Sequence, residues 1–474
     1  MIIQGHETLK KAAYIAIAAL GTLFVLGVIF FKERVFFADA SYILFNILNI
    51  GKLHIPEHRY GAFITQMFPW FGQKLHLPIR TIIIAYALSF NFFYLSVGAV
   101  LVYKCRQYGL AILMTLYYFL FVSDSYFWTN NEIQQAIAWM FLMFGTTIYL
   151  ANRKANIIVS LLVFSVLAFF TVFTHFVVIL PLGFLWIYFL LSKELWPVSM
   201  KLSVIYTIIL AVIVVVKYLV TVDQSYDAVH LHNATHFSLR DIFHSITVPE
   251  VLRFFRRCIT NYWIAGVVFV FSFLALLRQR KTYVALWTLL SIAGYIIAMG
   301  LTYNDPNSNI TLFHIESEWA SLGIIIAAPF VFTFLPRLQP RRALLLLSGI
   351  LLIRFGYICS AIPAFSWRTT YKNQVMDAMR KKGIHKLAIN LNSEYAEKTI
   401  LYWGLPYESL LLSAMQGDQP QLTFFYSTPD YKTAPADCMD NGFFPIPSRL
   451  LQHNYFLIDT MQSYQTMTHE ELFK

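Results

Sequence analysis

From its first residues the chain alternates long apolar runs with short polar breaks. Runs of about 20 apolar residues recur, each long enough to cross a hydrocarbon core of about 30 Å as an α-helix. Eleven such segments are read, at about 12–31, 79–103, 109–123, 133–150, 156–173, 176–192, 202–220, 259–277, 283–302, 319–335 and 343–361. Two breaks are long. Residues 32–75 carry polar side chains among apolar ones at helical spacing, which predicts amphipathic helices lying on the membrane surface. Residues 221–250 form a polar loop with His230, His232 and His236 crowded together. Past 362 the pattern becomes mixed and predicts a helix near 370–382, a strand near 386–391, further helices, and strands near 421–426 and 455–459. The expected fold is an all-α polytopic membrane protein of about eleven transmembrane helices, residues 1–362, with a small C-terminal α/β extracytoplasmic domain, residues 363–474.

Composition agrees with that pattern. Of 474 residues, 58% are hydrophobic and 13% charged, where a soluble protein averages about a quarter charged. The formal charge of +11 is therefore read by location, not as a nucleic-acid footprint. The groups Lys10/Lys11, Lys104/Arg106, Arg153/Lys154, Lys193/Lys201, Arg278/Arg280/Lys281 and Arg337/Arg341/Arg342 fall on alternate turns of an eleven-span chain. The positive-inside rule puts them all in the cytoplasm. The long loops, Asp305 and the tail then lie outside. Lys10 and Lys11 precede the first apolar run and Phe30-Phe31-Lys32-Glu33 follow it, so that run is read as an uncleaved span. Cys105, Cys258, Cys359 and Cys438 are far apart and form no CxxC pair, which gives no metal or redox motif.

Polar chemistry gathers on one side. Outer loops are long, aromatic and rich in carboxylate and histidine, and inner loops are short and basic. A transporter usually carries ionisable groups near the bilayer midplane, where this chain has few. An active site at the outer boundary fits better. Asp39, in Lys32-Glu33-Arg34-Val35-Phe36-Phe37-Ala38-Asp39-Ala40, stands just past the first span. It either ends a membrane helix in water or reaches both water and a lipid headgroup.

In layout the chain resembles the GT-C glycosyltransferases: a first span entering from the cytoplasm, a long first outer loop, an acidic residue just after that span, about eleven spans and a soluble outer tail. The resemblance implies transfer of a sugar from a polyprenyl-phosphate lipid donor to a glycan, lipid or protein acceptor, at the periplasmic face of a bacterial inner membrane. Phe37-Ala38-Asp39-Ala40 offers one Asp where many members have two acidic residues, so a divalent metal is left open and not favoured. Thr129-Asn130-Asn131-Glu132-Ile133-Gln134-Gln135-Ala136-Ile137-Ala138, with His175 later, also resembles polysaccharide polymerases or ligases of O-antigen type. A lipid-linked oligosaccharide transporter is the alternative from another class.

Such a transferase needs a base for the acceptor hydroxyl, and Asp39 is the candidate. The departing lipid phosphate needs cationic donors. Arg253, Arg256 and Arg257 match phosphate oxygens, as does Arg59; the alternative for these arginines is headgroup anchoring. His175 and His314, together with Tyr42 and Glu132, are candidates to line the site. Glu316 and Glu318 are candidates to hold the acceptor, or they stabilise the positive end of the next helix. No Gly-rich phosphate loop is present, and nothing points to a nucleotide-sugar donor or a nucleic-acid partner.

Overall fold

A computed structural model describes residues 2–129, 132–222, 225–303, 312–427, 436–439, 442–451 and 455–474. Asn130, Asn131 and Asp305 lie outside the described residues. The protein is mostly helical, and each expected span falls on an apolar helix. Six are long and apolar enough to cross a membrane: Gly5–Ile29, Ile79–Lys104, Glu132–Asn152, Met200–Thr221, Thr282–Thr302 and Pro340–Lys382. Leu239–Thr260 and Trp263–Arg278, which meet at 85°, add a seventh if the bent pair counts as one span. The other four expected spans correspond to apolar helices of 10–17 residues, short of the roughly 20 that a perpendicular crossing needs.

The first helix, Ile2–Ile29, packs on Ile79–Ala99, Tyr108–Leu120 and Pro340–Ser360. Contact with Ile79–Ala99 is close: a Cβ at Gly98 would come within 2.8 Å of Ile17 and 3.2 Å of Leu20. Tyr108–Leu120 is buried at every position, as expected of a helix that is apolar all round.

Within residues 32–75, the first long helix does not lie on a membrane surface with one face open. Helix Ala38–Ile50 is buried along most of its length and packs between Phe63–Lys74 and the tail helix Leu405–Gln416. Ile43, Leu44, Phe45 and Leu48 share one core with Met376, Leu387, Leu410 and Leu411. The polar positions that suggested headgroups meet protein backbone instead. Asn49 donates to the Leu450 carbonyl at 3.0 Å, Gln73 to the Leu48 carbonyl at 2.9 Å and Gln66 to the His54 carbonyl at 2.6 Å. Gly51, at φ 74, ends the helix in the left-handed conformation that glycine adopts without penalty.

In the tail, Ile362–Lys382 runs on from Pro340–Ser360 as one helix of 43 residues, which passes through the expected boundary at 362. Three parallel strands follow in the order β2-β1-β3: β1 is Lys386–Asn390, β2 Thr423–Ser427 and β3 Gln465–Met467. Residues 455–459 were expected to supply a strand, but they contribute one bridge, Gln421 to Ile458. Asp459 turns the chain there by accepting from the backbone N–H of Met461 at 2.8 Å and of Gln462 at 3.1 Å, the usual role of Asp in turns. Pairing resumes at Gln465 opposite Leu387.

Candidate functional site

The segment that leads to Asp39 is held from the tail. Phe36 lends its carbonyl to Arg368 and to the Lys372 ammonium, both at 2.6 Å. Ala38, at φ 33, donates its N–H to Glu408 at 2.7 Å. Arg368 and Lys372 also grip the Glu408 carboxylate, Lys372 at 2.8 Å. All three side chains are buried. Burial pushes the Glu408 carboxyl up, but the Arg368 guanidinium and Lys372 ammonium outweigh it and hold it below the usual carboxylate range. Gly404 lets the tail come this close, since a Cβ there would stand 2.6 Å from the Ala38 Cα. The left-handed backbone at Ala38, unusual for a residue with a Cβ, is thus fixed by a buried ion cluster.

Directly after this clamp, Asp39 lies in the first turn of helix Ala38–Ile50 and faces a cavity of about 250 Å³. Its carboxylate accepts from the Trp128 indole N–H at 2.9 Å. Burial, then the Glu132 charge, pushes the Asp39 carboxyl up to about 7 against the opposing effects of Trp128 and Arg59. Glu132 itself is paired with Arg59 at 3.2 Å. Arg59 sits on a loop in which Glu57 and His58 are left-handed, at φ 54 and 52, and Lys217 holds the Glu57 carbonyl at 3.0 Å.

The same cavity gathers Tyr42 from the Asp39 helix, His175 from the turn before Phe176–Val178, and His314 and Glu318 from helix Leu312–Trp319. His175 also caps a helix turn, its ring nitrogen accepting from the Val177 N–H at 3.3 Å. Burial pulls His314 down to about 4, so it is a neutral imidazole beside Trp128, ring centroids 5.4 Å apart. Burial, then the Glu250 charge, pushes Glu318 up to about 8.

Other candidates lie elsewhere. Glu316 faces away and accepts from the backbone N–H of Ser123 and Ser125, both at 2.7 Å, and from the Tyr262 hydroxyl at 2.9 Å. It pins the loop that presents Trp128. Arg253, Arg256 and Arg257 do not line the cavity. They lie on helix Pro249–Thr260, where Phe254 stacks inward on Trp319 at 4.0 Å while Arg253 and Arg256 are exposed. Arg257 donates to Asn261 at 3.3 Å.

Several contributors carry no local sequence signal. Glu57 and Tyr303 line the cavity, and nothing in their neighbourhood marks them. Trp128 is conspicuous as an aromatic, but its pairing with a residue 89 positions away is not readable. Glu408 is 370 positions from Ala38. Among the described residues, no group of three His, Cys, Asp or Glu side chains is placed to hold a metal ion. Chemically, the cavity offers a carboxylate that exchanges its proton near neutral pH, a neutral histidine, and one guanidinium already balanced by a carboxylate. No family model, curated protein or solved structure is significantly similar to the chain.

Proposed function

We propose that the chain is an integral membrane glycosyltransferase of the GT-C type that takes its sugar from a polyprenyl-phosphate lipid. The observation that carries this reading is Asp39, just past the clamp and at the wall of a cavity that also holds Arg59, Glu132 and His314, with its carboxyl raised to about 7. A general base works best with a pKa near the operating pH. In the reaction, Asp39 takes the proton of an acceptor hydroxyl. The hydroxyl oxygen bonds to the anomeric carbon, the carbon–oxygen bond to phosphate breaks, and lipid phosphate leaves with the electron pair. Arg59 is the cavity's guanidinium for that charge.

Arg253 and Arg256, exposed on an amphipathic helix, suit a role in holding the donor's phosphate at the interface before it enters. In this reading the six long helices, the bent pair and the four shorter apolar helices each cross once, which gives eleven crossings. With eleven, every short basic loop falls on the cytoplasmic side, and cavity and tail face the periplasm. A polysaccharide polymerase of O-antigen type would use the same cavity. His175 and Glu132, which both line it, belong to the segments that suggested that reading.

The test uses the full chain in nanodiscs with polyprenyl-phosphate monosaccharides and the lipid extract that co-purifies with the protein. The reading expects release of polyprenyl phosphate and addition of one sugar per turnover. Lengthening by whole repeat units would assign the polymerase instead. Movement of intact lipid-linked sugar between leaflets, without cleavage, would overturn both.

A further inference from the structure

A second concave site lies on the tail, away from the Asp39 cavity. It is a groove of about 710 Å³ along helix Ile362–Lys382. Trp367, Tyr371, Gln374, Ala378 and Lys381 recur there at three- and four-residue spacing and so form one stripe. The stripe continues into a tier of rings. Trp367 and Tyr371 lie 5.4 Å apart and nearly parallel, Tyr371 and Tyr395 5.4 Å apart, and Tyr395 and His469 3.8 Å apart. Phe473, 45% exposed, closes the tier 4.7 Å from His469.

Around these rings the groove is cationic: Lys381, Lys382, Lys398 and Lys474 line it against one carboxylate, Asp377. Asp377 is engaged by Arg380 at 2.6 Å, Lys398 by Glu394 at 2.7 Å and Lys474 by Glu470 at 3.9 Å. Lys381 and Lys382 are exposed and form no ion pair among the described residues. The inner rings stack on one another and Tyr371 is buried, so they stiffen the wall, while exposed Phe473 presents a ring face to the weakly positive C–H face of a pyranose; the lysines attract anionic substituents, and the Gln374 amide can bond hydroxyls. Few ligands ask for all three at once.

Membrane headgroups are the other anionic class, and distance argues against them. Pro340–Ser360, 21 residues, already spans about 32 Å, the whole hydrocarbon core. Lys381 and Lys382 lie a further 30 Å or so along the same helix, beyond the headgroup layer. We propose that this groove binds an acidic oligosaccharide, a chain of pyranoses bearing carboxylates or phosphates. The site stands independently of the transfer reaction proposed above.

The experiment measures binding of hexagalacturonate to the full chain in nanodiscs of neutral lipid, with maltohexaose and phosphatidylglycerol vesicles as comparison ligands. Hexagalacturonate is expected to bind in a salt-sensitive manner. The double variant Lys381→Gln/Lys382→Gln, which alters only exposed side chains, should weaken it about tenfold, and Phe473→Ala should weaken it as well. Asp39→Asn should bind as wild type does, which separates this site from the transfer reaction. Absence of binding, equal binding of maltohexaose, preference for the vesicles, or full affinity in the double lysine variant would each overturn the assignment.

Discussion

Glu408→Gln is the sharpest probe of how the tail shapes the Asp39 segment. The glutamate carboxylate accepts from the Ala38 N–H, from two guanidinium nitrogens of Arg368 and from the Lys372 ammonium. A glutamine fills the same space and keeps one oxygen. Its amide nitrogen would face cations that have only protons to offer. Two charge-assisted bonds are lost, at about 1.5–3 kcal/mol each; Arg368 stays buried without a counter-charge, and Lys372, which burial already pulls down to about 7, loses the carboxylate that favours its protonated form. Breaking a buried pair from one side costs about 3–5 kcal/mol, and the same range is expected here. Differential scanning of tryptophan fluorescence in detergent should show a clearly lowered unfolding midpoint. Release of polyprenyl phosphate should fall through kcat, with KM for the lipid donor unchanged, because the Asp39 position shifts while the donor path does not. The double variant Glu408→Gln/Lys372→Met removes a buried amine left without its carboxylate and should recover part of the lost stability. Wild-type midpoint and wild-type turnover in Glu408→Gln would refute the clamp.

Four further outcomes are expected. Transfer should rise with pH and level off above about 7 as Asp39 loses its proton, whereas a flat profile from pH 5 to 8 would exclude it as the base. The folded-state value lies above the ordinary 3.8, so Asp39 contributes stability below that ordinary value and loses it as pH rises through about 7; Asp39→Asn should therefore unfold at higher temperature than wild type at pH 8, with the gap narrowing by pH 5. Neutralising Arg253 and Arg256 together should raise KM for the lipid donor and leave kcat and acceptor KM alone, and equal losses for both substrates would favour simple membrane anchoring. A C-terminal reporter active only in the cytoplasm should stay silent, and its signal would reverse the assigned sides.

What the sequence discloses here follows from range. Apolar runs are local, and every one read from composition falls on a helix. Asp39, Arg59, Glu132 and His175 stood out because charged and imidazole groups are scarce in so apolar a chain, and they meet at one cavity. The helix Ala38–Ile50 was misjudged because its polar positions look the same whether they meet headgroups or the carbonyls of Tyr42 and Leu450. The last strand was misplaced because the apolar run at 455–459 outweighed the turn at Asp459. Arginines on Pro249–Thr260 announce an amphipathic helix, yet nothing local says which face meets the cavity. The clamp by Arg368, Lys372 and Glu408 joins residues more than 300 positions apart, and no spacing rule reaches that far.

The central claim is that Asp39 accepts the proton of the acceptor hydroxyl. Its direct test compares initial rates of polyprenyl phosphate release by wild type, Asp39→Asn and Glu33→Gln at matched amounts of folded protein, each with and without a divalent chelator. General-base catalysis contributes about 10²–10⁴-fold, so Asp39→Asn should slow by that order while still binding donor lipid. Glu33→Gln should stay near wild type, since Glu33 lies outside the cavity lining, and the chelator should change none of the three. Near-wild-type release by Asp39→Asn would contradict the account.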